Sequence, residues 1–184
     1  MNRNTASHRG GGRLDGTDAL HEAKRPRVAL AGPYGHPFHP ILVTIPIGAW
    51  IASVVFDVIS LFADDPEPYA IGATVLVGIG LIGAVLAAVF GLLDLLQVAA
   101  GTPARRTALT HMALNLGVVA VFLISLIIRL VDEPGDVNIG AIVLSVLGVL
   151  VLGVSGWLGG KLAYHYGVRV ADEHEQLTGF RRES

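Results

Sequence analysis

Histidine carries most of the chemistry this sequence offers. The chain has seven histidines and no cysteine, which removes thiolate nucleophiles, disulfides, cysteine-ligated iron–sulfur clusters and covalent c-type haem. His36 and His39 lie in the stretch His36-Pro37-Phe38-His39-Pro40, where two prolines hold the residues before them extended. In polyproline II geometry a three-residue spacing puts both rings on one edge, about 9 Å apart, able to converge on one ligand or to take one each. In the competing reading Pro40 begins a helix, His39 caps it, and both rings rest at a membrane interface.

His111 lies eight residues past Pro103, about 12 Å along a helix that starts there. Asp94, six residues before Ala100, reaches a comparable depth on the preceding helix. A carboxylate at matched depth can fix the imidazole tautomer, leaving the other ring nitrogen for a metal ion, a haem iron or a proton donor. Asn115 shares the face of His111 at four residues' spacing, and Gln97 lies three residues from Asp94, giving a polar patch that needs internal partners because lipid supplies none. The alternative is a hydrogen-bonded clasp with no ligand. Asp57 and Arg129 are the opposite charges expected near the other end of the helices, so a salt bridge between them is the economical reading. A transporter would instead leave Asp57 free to exchange protons or a cationic substrate.

The elements that must position these residues are apolar and long. Of 184 residues, 52% are hydrophobic and 15% charged, with a mean hydropathy of +0.60, and this charged fraction is far below that of soluble domains. The runs Ala70 to Leu93 and Ile139 to Gly160, 24 and 22 residues, contain no ionisable group and exceed the roughly 18 residues that mark a membrane span. Four apolar segments are expected, at 41–62, 70–100, 103–131 and 139–166, joined by short links rich in turn residues: Asp64-Asp65-Pro66-Glu67-Pro68, Gly101-Thr102-Pro103 and Asp132-Glu133-Pro134-Gly135-Asp136. Short links force antiparallel neighbours, so the fold class is all-α, an integral membrane antiparallel four-helix bundle over 33–170. In the second link Thr102 is placed to cap the third helix and Pro103 to be its first residue. Pro46 should open the helical ladder of the first span.

Flanking this domain, 1–32 with Gly10-Gly11-Gly12 and scattered charge reads as a flexible tail, and 171–184 as a charged one. No apolar core follows the basic residues of the first tail, so it is not expected to be a signal peptide. Lys24, Arg25, Arg27, Arg105, Arg106, Lys161, Arg169, Arg181 and Arg182 fall on one side of the spans and only Arg129 on the other, which puts both termini in the cytoplasm. Trp157, Tyr164 and Tyr34 suit an aromatic belt, and Trp50 suits packing. Small residues at four-residue spacing, among them Gly83, Ala87 and Gly91, Gly80 and Ala84, and Ser155 and Gly159, make smooth strips for packing within the bundle or for a homo-oligomer. A net charge of −2 gives no basic field for nucleic acid. Gly78-Ile79-Gly80-Leu81-Ile82-Gly83 matches a dinucleotide glycine pattern only formally, since it lies inside a span. No repeat of 20 to 50 residues is visible.

Several separated motifs occur together: Gly35 to Gly48, starting with the histidine-proline stretch, then Phe56-Asp57, Gly91-Leu92-Leu93-Asp94, Arg105-Arg106 through His111 to Leu114-Asn115, and Gly159-Gly160 through Tyr164 to Val170. Over about 33–172 the chain resembles the domain of unknown function 2231 family of prokaryotic membrane proteins. The resemblance implies a four-helix protein of the inner (plasma) membrane and maps His36, His39, Asp94, His111 and Asn115 onto motif positions. The family often has another residue where His165 stands. Some members look fused to Rieske or cytochrome-type domains, which implies a redox setting by association.

The expectation carried forward is a membrane protein that binds haem b, or alternatively a metal ion, for electron transfer. His36, His39, His111, Asp94 and Asn115 are its candidate site, with His111 and one of His36 or His39 as ligands and Asp94 behind His111, all three histidines serving in the metal alternative, and a redox protein as possible partner. A non-catalytic scaffold and a small dimeric proton-coupled transporter using Asp57 are the competing readings. No activated nucleophile or assembled acid–base pair points to an enzyme.

Overall fold

The computed structural model describes residues 15–25 and 36–180. The expectations placed on Gly10 to Gly12, Arg27, Tyr34, Gly35, Arg181 and Arg182 lie outside the described residues. Seven helices occur among the described residues: α1 (Gly16–Lys24), α2 (Phe38–Leu42), α3 (Thr44–Ser60), α4 (Glu67–Leu95), α5 (Pro103–Val131), α6 (Ile139–Tyr164) and α7 (Glu173–Thr178), with no strand. Four stretches are long and apolar enough to cross a membrane, α2 continuing through α3 as one of them, with mean hydropathies of 2.1 to 2.6.

Local chemistry sets the helix ends. Thr102 caps α5, its hydroxyl accepting from the Arg105 N–H at 3.1 Å, and Pro103 is the first helical residue, where its missing N–H costs nothing. Asn138 caps α6 by accepting from the Ala141 N–H at 2.9 Å. Pro46 has no N–H to offer the Leu42 carbonyl, and the helix is interrupted just there, at Val43 between α2 and α3. The histidine-proline stretch differs from its extended expectation. Pro37 is extended, at φ −76° and ψ 129°, but His39 and Pro40 already belong to α2. Proline is tolerated there because the first helical turn needs no internal N–H.

The 16–24 segment differs too, forming α1 where a tail without order was expected. Asp15 accepts from the Thr17 and Asp18 N–H groups at 2.8 and 2.9 Å, and Ala23 is buried. The Ala23 carbonyl accepts from the Arg169 N–H at 3.0 Å, so α1 gains contacts its own sequence cannot supply. In the 171–184 segment Asp172 caps α7, and accepting from the Glu175 N–H holds its carboxyl below its ordinary range.

α3 packs most closely on α4, and α5 on α6. Along the first interface His39 faces Gly91, Ile45 faces Gly83, Trp50 faces Gly80 and Phe56 faces Gly72, and any side chain at these glycines would overlap the facing residue. Along the second, His111 faces Gly159 and Phe122 faces Gly148. The two helix pairs meet through Trp50 and Phe122, whose rings stack at 4.2 Å and 4° in a core with Val77, Val118 and Leu152. Of the strip residues, Gly80, Gly83, Ala84, Ala87 and Ser155 are buried within the chain, so these five serve its own packing.

Polarity is arranged for an apolar solvent. The buried polar residues include Ser53, Asp57, Ser60, Ser125, Ser145 and Ser155, whereas Ile82, Leu116, Leu130, Leu150 and Trp157 are exposed. Lipid removes the need to bury large side chains, and close packing of small ones holds the helices together instead. The outer surface therefore contacts the bilayer.

Candidate functional site

Two polar centres lie inside this framework. The first joins His39 and His111, whose ring centroids are 6.3 Å apart with planes at 88°. Each ring is held by the next membrane-length stretch along the chain. His39 Nδ1 is 2.9 Å from the Ala87 carbonyl on α4, and His111 Nδ1 is 2.8 Å from the Ser155 carbonyl on α6. A carbonyl only accepts, so both Nδ1 atoms carry the proton, and in the neutral imidazole each Nε2 keeps an in-plane lone pair. One turn further along each helix, a glycine makes room for the ring. A Cβ at Gly91 would sit 2.9 Å from His39 Cε1, and one at Gly159 would sit 3.2 Å from His111 Cε1.

The surroundings of the two rings differ. Asn115 donates from Nδ2 to the Ser155 hydroxyl at 2.8 Å and to the His111 carbonyl at 2.9 Å. The same nitrogen is 3.2 Å from His111 Nε2 and 3.4 Å from Nδ1. Near-equal distances to both ring nitrogens put the amide over the ring face, away from the Nε2 lone pair in the ring plane. Ser155, whose hydroxyl is also 3.0 Å from His111 Nδ1, is a site residue that small-residue spacing flagged only as packing.

Asp94 does not stand behind His111 as the matched depths suggested. Its Oδ1 is 2.9 Å from Arg169 Nε. Depth along two helices fixes the height of a side chain but not its bearing, and the turn after α6 brings Arg169 back over the end of α4. That turn uses Gly167 at φ 68° and Arg169 at φ 59°, the left-handed region that non-glycine residues rarely adopt. Arg105 reinforces the same end of α4, donating to the Leu95 and Val98 carbonyls. His36 is exposed ahead of α2. Among the described residues no group of three or more His, Cys, Asp or Glu side chains is placed to hold a metal ion. The metal set of His36, His39 and His111 is therefore not formed, because the helical turn that takes up His39 leaves His36 outside.

The second centre lies toward the other end of α3 and α5. Arg129 donates from Nη1 to Asp57 Oδ1 at 2.9 Å and from Nη2 to Oδ2 at 2.7 Å, and the side chains are 5% and 1% exposed. Ser125 and Ser145 accept further bonds from this guanidinium at 3.3 Å each. Both Asp57 oxygens are engaged, an arrangement opposed to the free carboxylate a transporter would need. These two serines escaped sequence reasoning, since serine inside an apolar run carries no signal of its own.

The sequence model of the family described as predicted membrane protein (DUF2231) matches residues 35–172. The chain belongs to this family. No curated protein and no solved structure matches it. The matched segment of this DUF2231 protein holds both polar centres and leaves out α1 and α7.

Proposed function

We propose that this DUF2231 protein binds haem b between His39 and His111 and carries electrons at the cytoplasmic face of the inner membrane, toward or from a redox partner. The observation that carries the reading is the histidine pair, with both Nδ1 atoms bound to helix carbonyls and both Nε2 atoms left for a ligand. The two ring centres lie 6.3 Å apart with their planes at 88°, so one bound group could be reached by both imidazoles. A bare ion typically takes three or four donors from the protein, and two histidines do not meet that need. A haem would need only two ligands from the protein, which His39 and His111 could provide. When bound it supplies one-electron chemistry. His39 and His111 would hold and orient it, their carbonyl partners fix the tautomer and raise ligand basicity, and Asn115 and Ser155 support the His111 ring.

The same proposal runs the four spans antiparallel, with both termini and the α4–α5 link cytoplasmic. The facing residues of α3 and α4 support it, because numbers rise along one helix as they fall along the other. So does the excess of basic residues beside the histidine end. On this placement Asp57 and Arg129 lie near the outer face.

The test is an absorption spectrum of the detergent-purified protein, oxidised and then reduced with dithionite, with iron analysis of the same sample. A Soret band that shifts on reduction, stoichiometric iron, and loss of both in His39→Ala and in His111→Ala are the expected results. Full occupancy in either variant, or no band in protein produced with haem available, would sink the assignment. A reporter fused at the C-terminus checks the orientation and should be active only as a cytoplasmic enzyme.

A further inference from the structure

Three side-chain contacts between the two helix pairs join residues 72 positions apart. Asp57 pairs with Arg129 at that spacing, Trp50 stacks on Phe122 and His39 meets His111 edge to face. Ser53 and Ser125, also 72 apart, are both completely buried. The second helix of each pair repeats at 68 positions. Gly80 lies against Trp50 as Gly148 lies against Phe122, and Gly91 against His39 as Gly159 against His111. The carbonyls that hold the two histidines, at Ala87 and Ser155, keep the same spacing. Val77 and Ser145 do too, and both are fully buried.

A residue that touches its own counterpart lies beside a two-fold axis. Two units with the same direction of insertion are related by an axis along the membrane normal. We propose that the chain is two quasi-equivalent two-helix units, α2–α4 and α5–α6, and that the Asp57–Arg129 pair beside their axis is the address that makes the halves pair with each other. If the first unit paired instead with its equivalent in a second copy of the chain, two Asp57 carboxylates would face each other. The second unit with its equivalent would set two Arg129 guanidinium groups together. Lipid offers neither arrangement water or a counter-charge, so like-with-like pairing is selected against and one with two is selected for. Sequence identity between the halves is too low for a repeat to be read directly, and the 72-residue period exceeds that of solenoid repeats.

The test exchanges counterparts in the full chain and reads folded monomer by size exclusion in detergent. Arg129→Asp alone, and Asp57→Arg alone, should lose most of the monomer. The double exchange Asp57→Arg with Arg129→Asp should recover it to within about twofold of the parent, a ratio worth less than half a kcal/mol by the tenfold-per-1.4 rule. The same pair of single variants, co-expressed with different tags, should co-purify as a dimer exchanging complementary halves. The exchanged arginine gives up its Ser145 partner for Val77, so a second exchange checks the symmetry without charge. In Trp50→Phe with Phe122→Trp the new indole should fit against Gly148 and reach the Ser145 carbonyl, as Trp50 reaches the Val77 carbonyl at 3.3 Å, and monomer should be retained. A charge exchange no better than the single variants would overturn the address. An aromatic exchange that abolishes monomer would overturn the quasi-equivalence beneath it.

Discussion

The two polar centres of this protein obey opposite rules. At the Asp57–Arg129 end every charged atom has a partner, and the set closes on itself through Ser125 and Ser145. At the His39–His111 end the polar atoms are tied to helix carbonyls on one side only, and each imidazole keeps a lone pair free. A closed set in lipid holds an assembly together, and an open one is placed to take a ligand. The largest expected effect follows from closure. Arg129→Leu leaves a buried carboxylate unpaired and should destabilise by about 3–5 kcal/mol, whereas Asp57→Leu with Arg129→Leu should cost far less because no charge remains. Thermal unfolding in detergent of the single and double variants measures the difference. Equal losses would mean that the centre is held by something other than the ion pair.

The open centre should respond the other way. Truncating His111 removes its bonds to the Ser155 carbonyl and leaves Asn115 and Ser155 to pair with each other, so His111→Ala should cost about 1–2 kcal/mol in fold stability. Its larger effect is complete loss of bound haem, read as the Soret band of the same preparation. His39→Ala should behave alike. A variant that keeps its stability and loses its band separates ligand binding from folding, which no substitution at Asp57 can do.

Sequence showed the helices more clearly than it showed their bearings. Thr102 and Pro103 fix the start of α5 because capping is local chemistry within three residues. The apolar runs fix four membrane-length helices because lipid imposes a length. Asp57 and Arg129 could be matched as opposite charges needing each other, and the structure brings them together. Asp94 and His111 were matched by depth alone, and the rotation of each helix about its axis, set by where small residues let a neighbour approach, separates them. Arg169 reaches Asp94 through a left-handed turn at Gly167 and Arg169, and no sequence pattern announces such a turn at an arginine. Likewise α1 is stabilised by the carbonyl contact from Ala23 to Arg169, a tertiary contact that a local reading of polar residues 16–24 cannot contain.

Asn115 gives the next prediction in size. It is bonded to Ser155 and to the His111 carbonyl and covers one face of the imidazole, so it is a positioning residue for one histidine of the pair. The counterpart of Asn115 in the first helix is Val43, and that of Ser155 is Ala87, so His39 has no equivalent support. Asn115→Val should therefore cost about 1 kcal/mol and broaden or shift the haem spectrum without abolishing binding. Val43→Asn should leave the spectrum as it is, because Ala87 offers no hydroxyl to receive the amide. A spectrum unmoved by Asn115→Val would show that the carbonyl bond alone orients His111.

The glycine cradles allow the smallest chemical change, one added methyl group, and they grade the open centre most finely. An added Cβ at Gly91 meets two atoms of the His39 ring, at 2.9 and 3.0 Å, whereas at Gly159 the tightest contact to His111 is 3.2 Å and the next 3.7 Å. The first ring has to move, while the second must shift by only a few tenths of an ångström. Overpacking of this kind costs about 1–3 kcal/mol, so Gly91→Ala should fall in that range and Gly159→Ala at or below its lower edge. Each substitution also pushes a ring whose Nδ1 is bound to a carbonyl one turn away, and tilting that ring changes the direction of its Nε2 lone pair. At the proposed haem site Gly91→Ala should thus weaken haem retention on dilution more than Gly159→Ala does, even though His111 is the more elaborately supported ring. If Gly159→Ala proves the more damaging, the network of Asn115 and Ser155 is too rigid to let His111 yield, and stiffness at that ring outweighs crowding at the other.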